Sequence, residues 1–448
     1  MEIDLTKDEI IKNLDKIDWD FKGETTQYLS HKFHPYPARF IPQIPSTFIK
    51  LFTEEGETVL DPFCGSGTTL VESLINRRNS IGNDFNPFAV LLSKVKTTMV
   101  SDQDFEYLHK KLDHIKNFIK LDFSRIEERI NNLPNRNQSK IFNKIVIEKL
   151  ETLKDMILEL KSEGKINLYD LCQIALSATV WSLVENGDGI DIEDTFIRKI
   201  HVMESALKEM QIKIKKPHPT TKIIQGDARK LALDSNSMDL IVTSPPYVNA
   251  LDYYRTHMYN MLWLGLDFDI FRKNEIGGHS HFIYNRFRLL SEYLSDMFRA
   301  IIEMNRTLKK DKLCVIVIGN SSLEYELIES HKYFINFAQK VGFEHIKTYF
   351  RHIDKSRKYS SVGIGQIDDE YIVVLKKILD TSSSASDDKF IAERVKEEMK
   401  VFAQKVESDP GSSTRGKTPP KERLLKNIDK LNEAIKTINE DIRIKDSL

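Results

Sequence analysis

The chain has 448 residues, 40% hydrophobic and 30% charged, with 66 Lys and Arg against 67 Asp and Glu for a formal net charge of -1. That length suits roughly three domains of ~150 residues, or one large domain with insertions, and the near-neutral balance excludes a molecule-wide basic field, so any nucleic-acid contact must be a local patch. Three dispersed cysteines, none in a CxxC pair, exclude a disulfide scaffold and a cysteine-rich zinc site, and no apolar run of the ~18 residues needed to span a bilayer is present.

Residues 1–30 are polar, lack the apolar centre of a secretory leader, and read as an N-terminal extension. A Pro- and aromatic-rich segment, His31 to Pro45, follows. ETVLDPF then reads as a short buried strand, CGSGTT as a tight glycine turn, TLVESLINRR as a helix and NSIGNDFNP as a second strand. Strand–loop–helix–strand is the unit of a parallel sheet. From 101 to 220 the pattern becomes helical. Phe105, Leu108, Leu112, Ile115 and Ile119 alternate by three and four, as do Val146, Leu150, Leu153, Ile157 and Leu160. The more apolar LYDLCQIALSATVWSLV is expected at the centre of this insert.

The α/β pattern resumes at Thr221. KIIQGD, MDLIVTS and KLCVIVIGN read as strands, with a long helix from about Asn285 to Leu308. A helix near His331–Val341 leads to two adjacent strands, FEHIKTYFRHI and DEYIVVLKK. About seven strands are thus expected in a mostly parallel sheet with one antiparallel strand. Residues 379–448 hold low-complexity linkers and two charged helices. In the second, Leu424, Ile428, Leu431, Ile435, Ile438 and Ile442 follow a coiled-coil spacing. That stripe predicts docking either on the chain's own helical insert or on a second copy, so that monomer and homodimer both stay open.

Three motifs carry chemistry. The first, Asp61-Pro62-Phe63-Cys64-Gly65-Ser66-Gly67-Thr68-Thr69, joins a strand to a helix. Its glycines permit a sharp turn and close approach of a ligand, and the helix N-terminus favours an anionic group. No Gly-Lys-Ser/Thr follows, so it is not a P-loop; taken alone it is weak evidence, with an unliganded turn as the competing reading. The second is Asp84, with Phe85 beside it, at the end of the next strand. A carboxylate there can accept hydrogen bonds from a ribose diol. In isolation it would read as a turn or cap residue, but the two motifs end adjacent parallel strands. The third is Thr243-Ser244-Pro245-Pro246-Tyr247. Two prolines remove N–H donors and stiffen the backbone. They leave carbonyl oxygens of fixed direction beside a hydroxyl and an aromatic ring, suited to accept hydrogen bonds from an amino group and to stack a flat ring. The competing reading is a rigid strand-to-loop turn.

DPFCGSGTTL together with TSPPY resembles the amino-methyltransferases of DNA, which use S-adenosyl-L-methionine to methylate the exocyclic nitrogen of cytosine or adenine. The resemblance covers about residues 31–100 and 221–378, the expected catalytic domain. It implies a Rossmann-like class I methyltransferase fold and S-adenosyl-L-methionine as cofactor, with no metal. HPYPARFIPQIP is similar to the family's N-terminal motif, so Tyr36, Pro37, Ala38 and Arg39 are expected over the methionine end of the cofactor. Gly226-Asp227-Ala228 is similar to its adenine-holding motif. The implied cofactor set is completed by Asp61, Phe63, Cys64, Gly65, Ser66, Gly67, Thr68, Thr69, Asp84 and Phe85, with Asp227 and Ala228. In this family a serine before the two prolines is most often found with cytosine N4 as target. Ser244, Pro245, Pro246 and Tyr247 are therefore the expected catalytic group. The Ser244 oxygen and the Pro245 carbonyl would each accept one N–H, localising the amine lone pair, while Tyr247 stacks on the extruded base. C5 methylation would need a Pro-Cys dipeptide, and none occurs; Cys64 and Cys314 read as packing residues.

The implied activity is site-specific cytosine-N4 methylation of double-stranded DNA. It would run in a prokaryotic cytoplasm, nucleoid-associated, beside a cognate restriction endonuclease in a restriction–modification system, with no membrane partner. Adenine-N6 methylation is the nearest alternative, ahead of an RNA methyltransferase and of a non-enzymatic DNA-binding subunit. The insert at 101–220 departs from the family pattern and is the first candidate for target recognition. Val248–Tyr284, with Arg255, comes next. Arg351, Lys355, Arg357 and Lys358 cluster between the last two strands and read as the best phosphate-contact candidates. His31 and His34 read as lid or packing residues, and Trp181 and Trp263 as core.

Overall fold

The apolar runs of the two α/β blocks assemble into one sheet. The computed structural model describes residues 6–118, 142–187, 189–214, 218–249, 251–267, 269–278, 282–353, 369–382, 387–411 and 421–445. The strands are β1 (Thr58–Asp61), β2 (Asn79–Asp84), β3 (Thr221–Gln225), β4 (Met238–Thr243), β5 (Leu308–Gly319), β6 (Ser321–Leu323), β7 (Glu326–Ile328), β8 (Phe343–His352) and β9 (Asp369–Lys377). Seven of them form a sheet in the order β3-β2-β1-β4-β5-β9-β8, and β6 pairs with β7 in a small hairpin. Leu60 faces Ile81 and Ile241 faces Cys314 in parallel register, whereas β9 runs antiparallel to both neighbours, with Val315 opposite Val374. This is the Rossmann-like α/β architecture that the strand pattern predicts.

The helices are α1 (Lys7–Leu14), α2 (Gln43–Phe52), α3 (Thr68–Ile75), α4 (Pro87–Thr97), α5 (Asp102–Phe118), α6 (Lys144–Ser162), α7 (Ile166–Asn186) and α8 (Ile192–Lys213). After β4 come α9 (Tyr253–Trp263), α10 (Asp269–Asn274), α11 (Arg286–Thr307), α12 (Ser330–Lys340), α13 (Asp388–Ser408) and α14 (Lys421–Lys445). The period-2 alternation of the central strands divides the core. Leu240, Val242, Val315 and Val317 pack on one face against α1 and α2, while Ile241, Cys314 and Ile316 meet α11 and α12 on the other. The insert helices form a third cluster with Val71, Leu74, Phe88 and Tyr36, so the insert shares its core with α3 and α4. Its central helix is α7, which buries Leu171, Cys172, Ile174 and Ala175. Among the described residues, no helix is long and apolar enough to cross a membrane.

Both ends of the chain pack on the α/β block. From Lys7 onward the N-terminal extension packs on the sheet. Thr6 and Glu9 close a capping box on α1, and Ile10, Leu14 and Trp19 are buried against the sheet. At the other end, the described part of the α14 stripe docks not on the insert but on the catalytic block. Leu424, Leu431 and Ile438 are buried, with Ile428 and Ile435 partly so, where α14 packs with α13 on α11 of the catalytic block. Asn285 Nδ2 reaches the Lys430 carbonyl at 3.0 Å and Asn427 Nδ2 reaches Glu326 Oε1 at 3.1 Å, fixing the register. The side chain of Ile442 lies outside the described residues.

Candidate active site

The glycine loop is shaped by backbone that only glycine adopts freely. Gly65 and Gly67 have φ of 47° and 78°, and a Cβ on Gly67 would stand 3.0 Å from Ser93 Oγ. Gly67 ends the turn as the N-cap of α3. The loop is tied to its neighbours through main-chain groups. Cys64 N–H donates to the Asn83 carbonyl at 2.9 Å, Gly65 N–H to Asp84 Oδ2 at 2.8 Å, and Ser93 Oγ to the Gly65 carbonyl at 2.8 Å. Asn83 Nδ2 bonds both Pro62 and Gly226 carbonyls, at 3.1 and 3.0 Å, and so staples the ends of β1 and β3 together. Burial pushes the Asp84 carboxyl up to about 6, against the backbone N–H groups of Asn86, Gly65 and Phe85 that favour its charged form.

The diproline corner is held from three directions. Tyr293 Oη, on α11, donates to the Pro246 carbonyl at 2.9 Å. Tyr247, buried, donates its hydroxyl to Glu370 Oε1 at 3.1 Å, and Glu370 is paired to Arg351. Burial, then the Glu370 charge, hold the Tyr247 phenol well above its ordinary value, so it stays a donor. Beneath, Thr243 Oγ1 donates to Asp61 Oδ1 at 2.6 Å and Thr69 Oγ1 to the Val242 carbonyl at 3.1 Å. Those bonds lock β4 to the glycine loop.

Both motifs open on one cavity. Of the expected residues, Tyr36, Ala38, Arg39, Phe63, Cys64, Gly65, Ser66, Thr68, Asp84, Phe85, Asp227, Ala228, Ser244 and Pro246 line it. Pro37, Asp61, Gly67, Thr69, Pro245 and Tyr247 stand outside that lining. Asp61 is the clearest correction: it is fully buried under the loop, pushed by burial up to about 7, and cross-links β1 to β4 instead of facing a ligand. Asp227 faces the cavity while holding Arg229 in a bidentate pair, at 2.7 Å to Oδ2 and 2.9 Å to Oδ1. Three polar atoms of the lining residues, Ser66 Oγ, Asn86 Nδ2 and Glu275 Oε2, are buried without a hydrogen-bond partner among the described residues. An apolar wall of Phe40, Phe63, Phe85 and Phe271 with polar groups at fixed points suits an adenosine-bearing ligand.

Arg351 corrects the expected DNA face. It is 3% exposed, pairs with Glu370 and donates Nε to the Trp19 carbonyl at 3.1 Å, so it braces the catalytic corner rather than reaching a phosphate. Lys355, Arg357 and Lys358 lie outside the described residues. Arg255 is exposed, with Nε 3.1 Å from Tyr254 Oη. His31 is buried against Glu72 at 2.9 Å and His34 against Ser177 at 2.9 Å, both packing roles. Trp263 is buried and Trp181 half-buried.

Sequence reasoning missed Tyr253, Phe271, Asn274, Glu275 and Ile276, all of which line the cavity. They belong to Val248–Tyr284, which the sequence alone places on the DNA side. The double glycine after Ile276 was the available signal: a Cβ on Gly277, at φ 76°, would stand 3.4 Å from Val248 Cα, so this strand of chain must return to the diproline corner.

A family model described as DNA methylase, of the N6/N4 methyltransferase type, matches residues 6–95 and 238–434. The Type II methyltransferase M.MvaI of Kocuria varians is 24% identical over 397 residues, covering 75% of this chain and 87% of that protein. The Type II methyltransferase M.BsoBI of Geobacillus stearothermophilus is 23% identical over 330 residues, covering 65% and 63%. Among solved structures, a TehB-like SAM-dependent methyltransferase from Corynebacterium glutamicum aligns with a TM-score of 0.28 at 10% identity, over 74% of this chain and 86% of that one.

Proposed function

The chain belongs to the DNA methylase family of N6/N4 methyltransferases, and from that membership we propose that it transfers the methyl group of S-adenosyl-L-methionine to the exocyclic N4 of a cytosine extruded from duplex DNA. The names of the two long relatives, both Type II methyltransferases, support placing it as the modifying half of a restriction–modification pair. One observation carries the reading: Ser244 and Pro246 share a cavity with Gly65, Ser66 and Asp84.

In this reading Asp84 accepts the ribose hydroxyls, the phenylalanine wall takes the adenine, and Tyr36 with Arg39 covers the methionine end. When bound, the cofactor supplies a methyl already activated by positive sulfur, so the chain's own work is positioning. The Ser244 oxygen, on the cavity wall, accepts an amine hydrogen and turns the nitrogen lone pair toward the cavity, while Pro245, expected to supply the second acceptor, stands outside the lining. Tyr247, anchored by Glu370, and the clamp of Tyr293 on Pro246 keep that corner from yielding as the base enters. An extruded base is needed because a target amine held inside a stacked duplex cannot enter such a cavity. Serine rather than aspartate or asparagine before Pro-Pro-Tyr favours cytosine.

The test is to incubate the protein with labelled cofactor and duplex DNA, digest to nucleosides and separate them by mass spectrometry. N4-methylcytosine is the expected product. N6-methyladenine would overturn the cytosine reading while leaving the family intact.

A further inference from the structure

Glu275, just after α10, is a buried acid on the cavity wall that the transfer described above leaves unused. It is 4% exposed. Its Oε1 accepts the Tyr253 N–H at 2.6 Å, while Oε2 has no hydrogen-bond partner among the described residues. A Cβ on Gly278 would stand 3.3 Å from that oxygen, so bare backbone closes one side of it. The groups facing Glu275 are acidic or phenolic: Asp252, Asp84, Tyr253 and Tyr36. Arg39 is the only basic side chain in the described lining, and its Nη1 already donates to the His31 carbonyl at 2.6 Å. Burial first, then the neighbouring carboxylates, push Glu275 up to about 8, against the pull of the Tyr253 and Tyr254 N–H groups.

A desolvated carboxyl with one empty oxygen, in a cavity where acid outnumbers base, is matched to a cation. The cofactor carries two such charges, its sulfonium and its α-ammonium. We propose that Glu275 is the counter-ion of the bound cofactor's positive charge, and that it releases its proton to solvent as the cofactor enters. This rests on the cofactor reading above. The sign follows from linkage: a nearby cation favours the carboxylate, so affinity climbs as pH rises toward the free value of about 8; above it, affinity levels when the sulfonium is the partner and falls when it is the α-ammonium, which itself loses a proton at pH ~8.

Titration calorimetry of the full chain with S-adenosyl-L-methionine, near neutral pH in two buffers of different ionisation enthalpy, counts the protons exchanged. Wild type is expected to release close to one. Glu275→Gln keeps an acceptor for the Tyr253 N–H. It is expected to release almost none, to bind roughly tenfold more weakly at the pH where wild type binds most tightly, and to lose the pH climb. Its ligand-free melting temperature should equal or exceed that of wild type. S-adenosylhomocysteine, which keeps the ammonium but has neutral sulfur, separates the two charges: release with both ligands assigns the ammonium, and release with the methylated ligand alone assigns the sulfonium. Wild-type binding without proton release overturns the proposal even if the variant misfolds, as does a folded variant that titrates like wild type. A wild type that binds no cofactor at all sinks the cofactor reading itself.

Discussion

Tyr293 shows that the diproline corner is held by a side chain outside the motifs. Its hydroxyl is the partner of the Pro246 carbonyl, and the residue is fully buried. Tyr293→Phe should cost about 1 kcal/mol of stability in denaturant melts. It should also lower single-turnover methyl transfer by up to about a hundredfold, since small misplacements of reacting groups are that costly. Cofactor affinity should be unchanged; a variant with wild-type turnover would remove the clamp from the account. Arg351 gives the opposite kind of prediction. Arg351→Ala strands Glu370 as a buried unpaired carboxylate and should destabilise by about 3–5 kcal/mol. The salt dependence of DNA binding should not change, whereas loss of a phosphate contact would reduce its slope by about one unit. Gly67→Ala should fail by another route. A left-handed φ of 78° costs an L-residue about 1–2 kcal/mol, and Ser93 stands 3.0 Å from the new Cβ. Cofactor affinity should fall with stability, read by calorimetry and melting together.

At the scale of elements, the strands were legible because alternation is a local property. Leu240, Ile241 and Val242 announce opposite faces by position alone. The misassigned Arg351 obeys the same rule: it lies two residues after Tyr349 on the inward face of β8, while Phe350 and His352 point out. Its charge outweighed its register. The α14 stripe was legible as a stripe, but periodicity says which face is covered, not by what. Its cover is α11 and α13. Leu431→Ala should therefore cost about 2–5 kcal/mol as a core truncation without altering the sedimentation coefficient. Dissociation of an oligomer at unchanged stability would contradict that. α1 went unread because Ile10 and Leu14 are too few to establish a period. The glycine loop and the diproline corner were legible because each is contiguous. Glu275, Tyr253 and Tyr293 were not, because only the return of the chain at Gly277 brings them back to Ser244.

For the molecule as a whole, parallel strands deliver every motif to one edge of the sheet, and the remaining mass builds walls around that edge. The insert joins the wall through buried polar contacts. Asn260 Nδ2, on α9, donates to the Ser177 carbonyl of α7 at 2.9 Å, and His34 meets Ser177 Oγ from the other side. Tyr36 stacks on His257 at 4.7 Å, so the covering segment, the insert and the chain after the diproline corner meet beside the cavity. The C-terminal helices brace α11, which carries Tyr293. The central claim is that this edge holds a serine oxygen where it can orient an amine against the cofactor. Single-turnover methyl transfer by Ser244→Ala, with cofactor affinity measured alongside, tests it most directly. The account predicts a rate lower by about two orders of magnitude with cofactor binding intact. Transfer at the wild-type rate would contradict it.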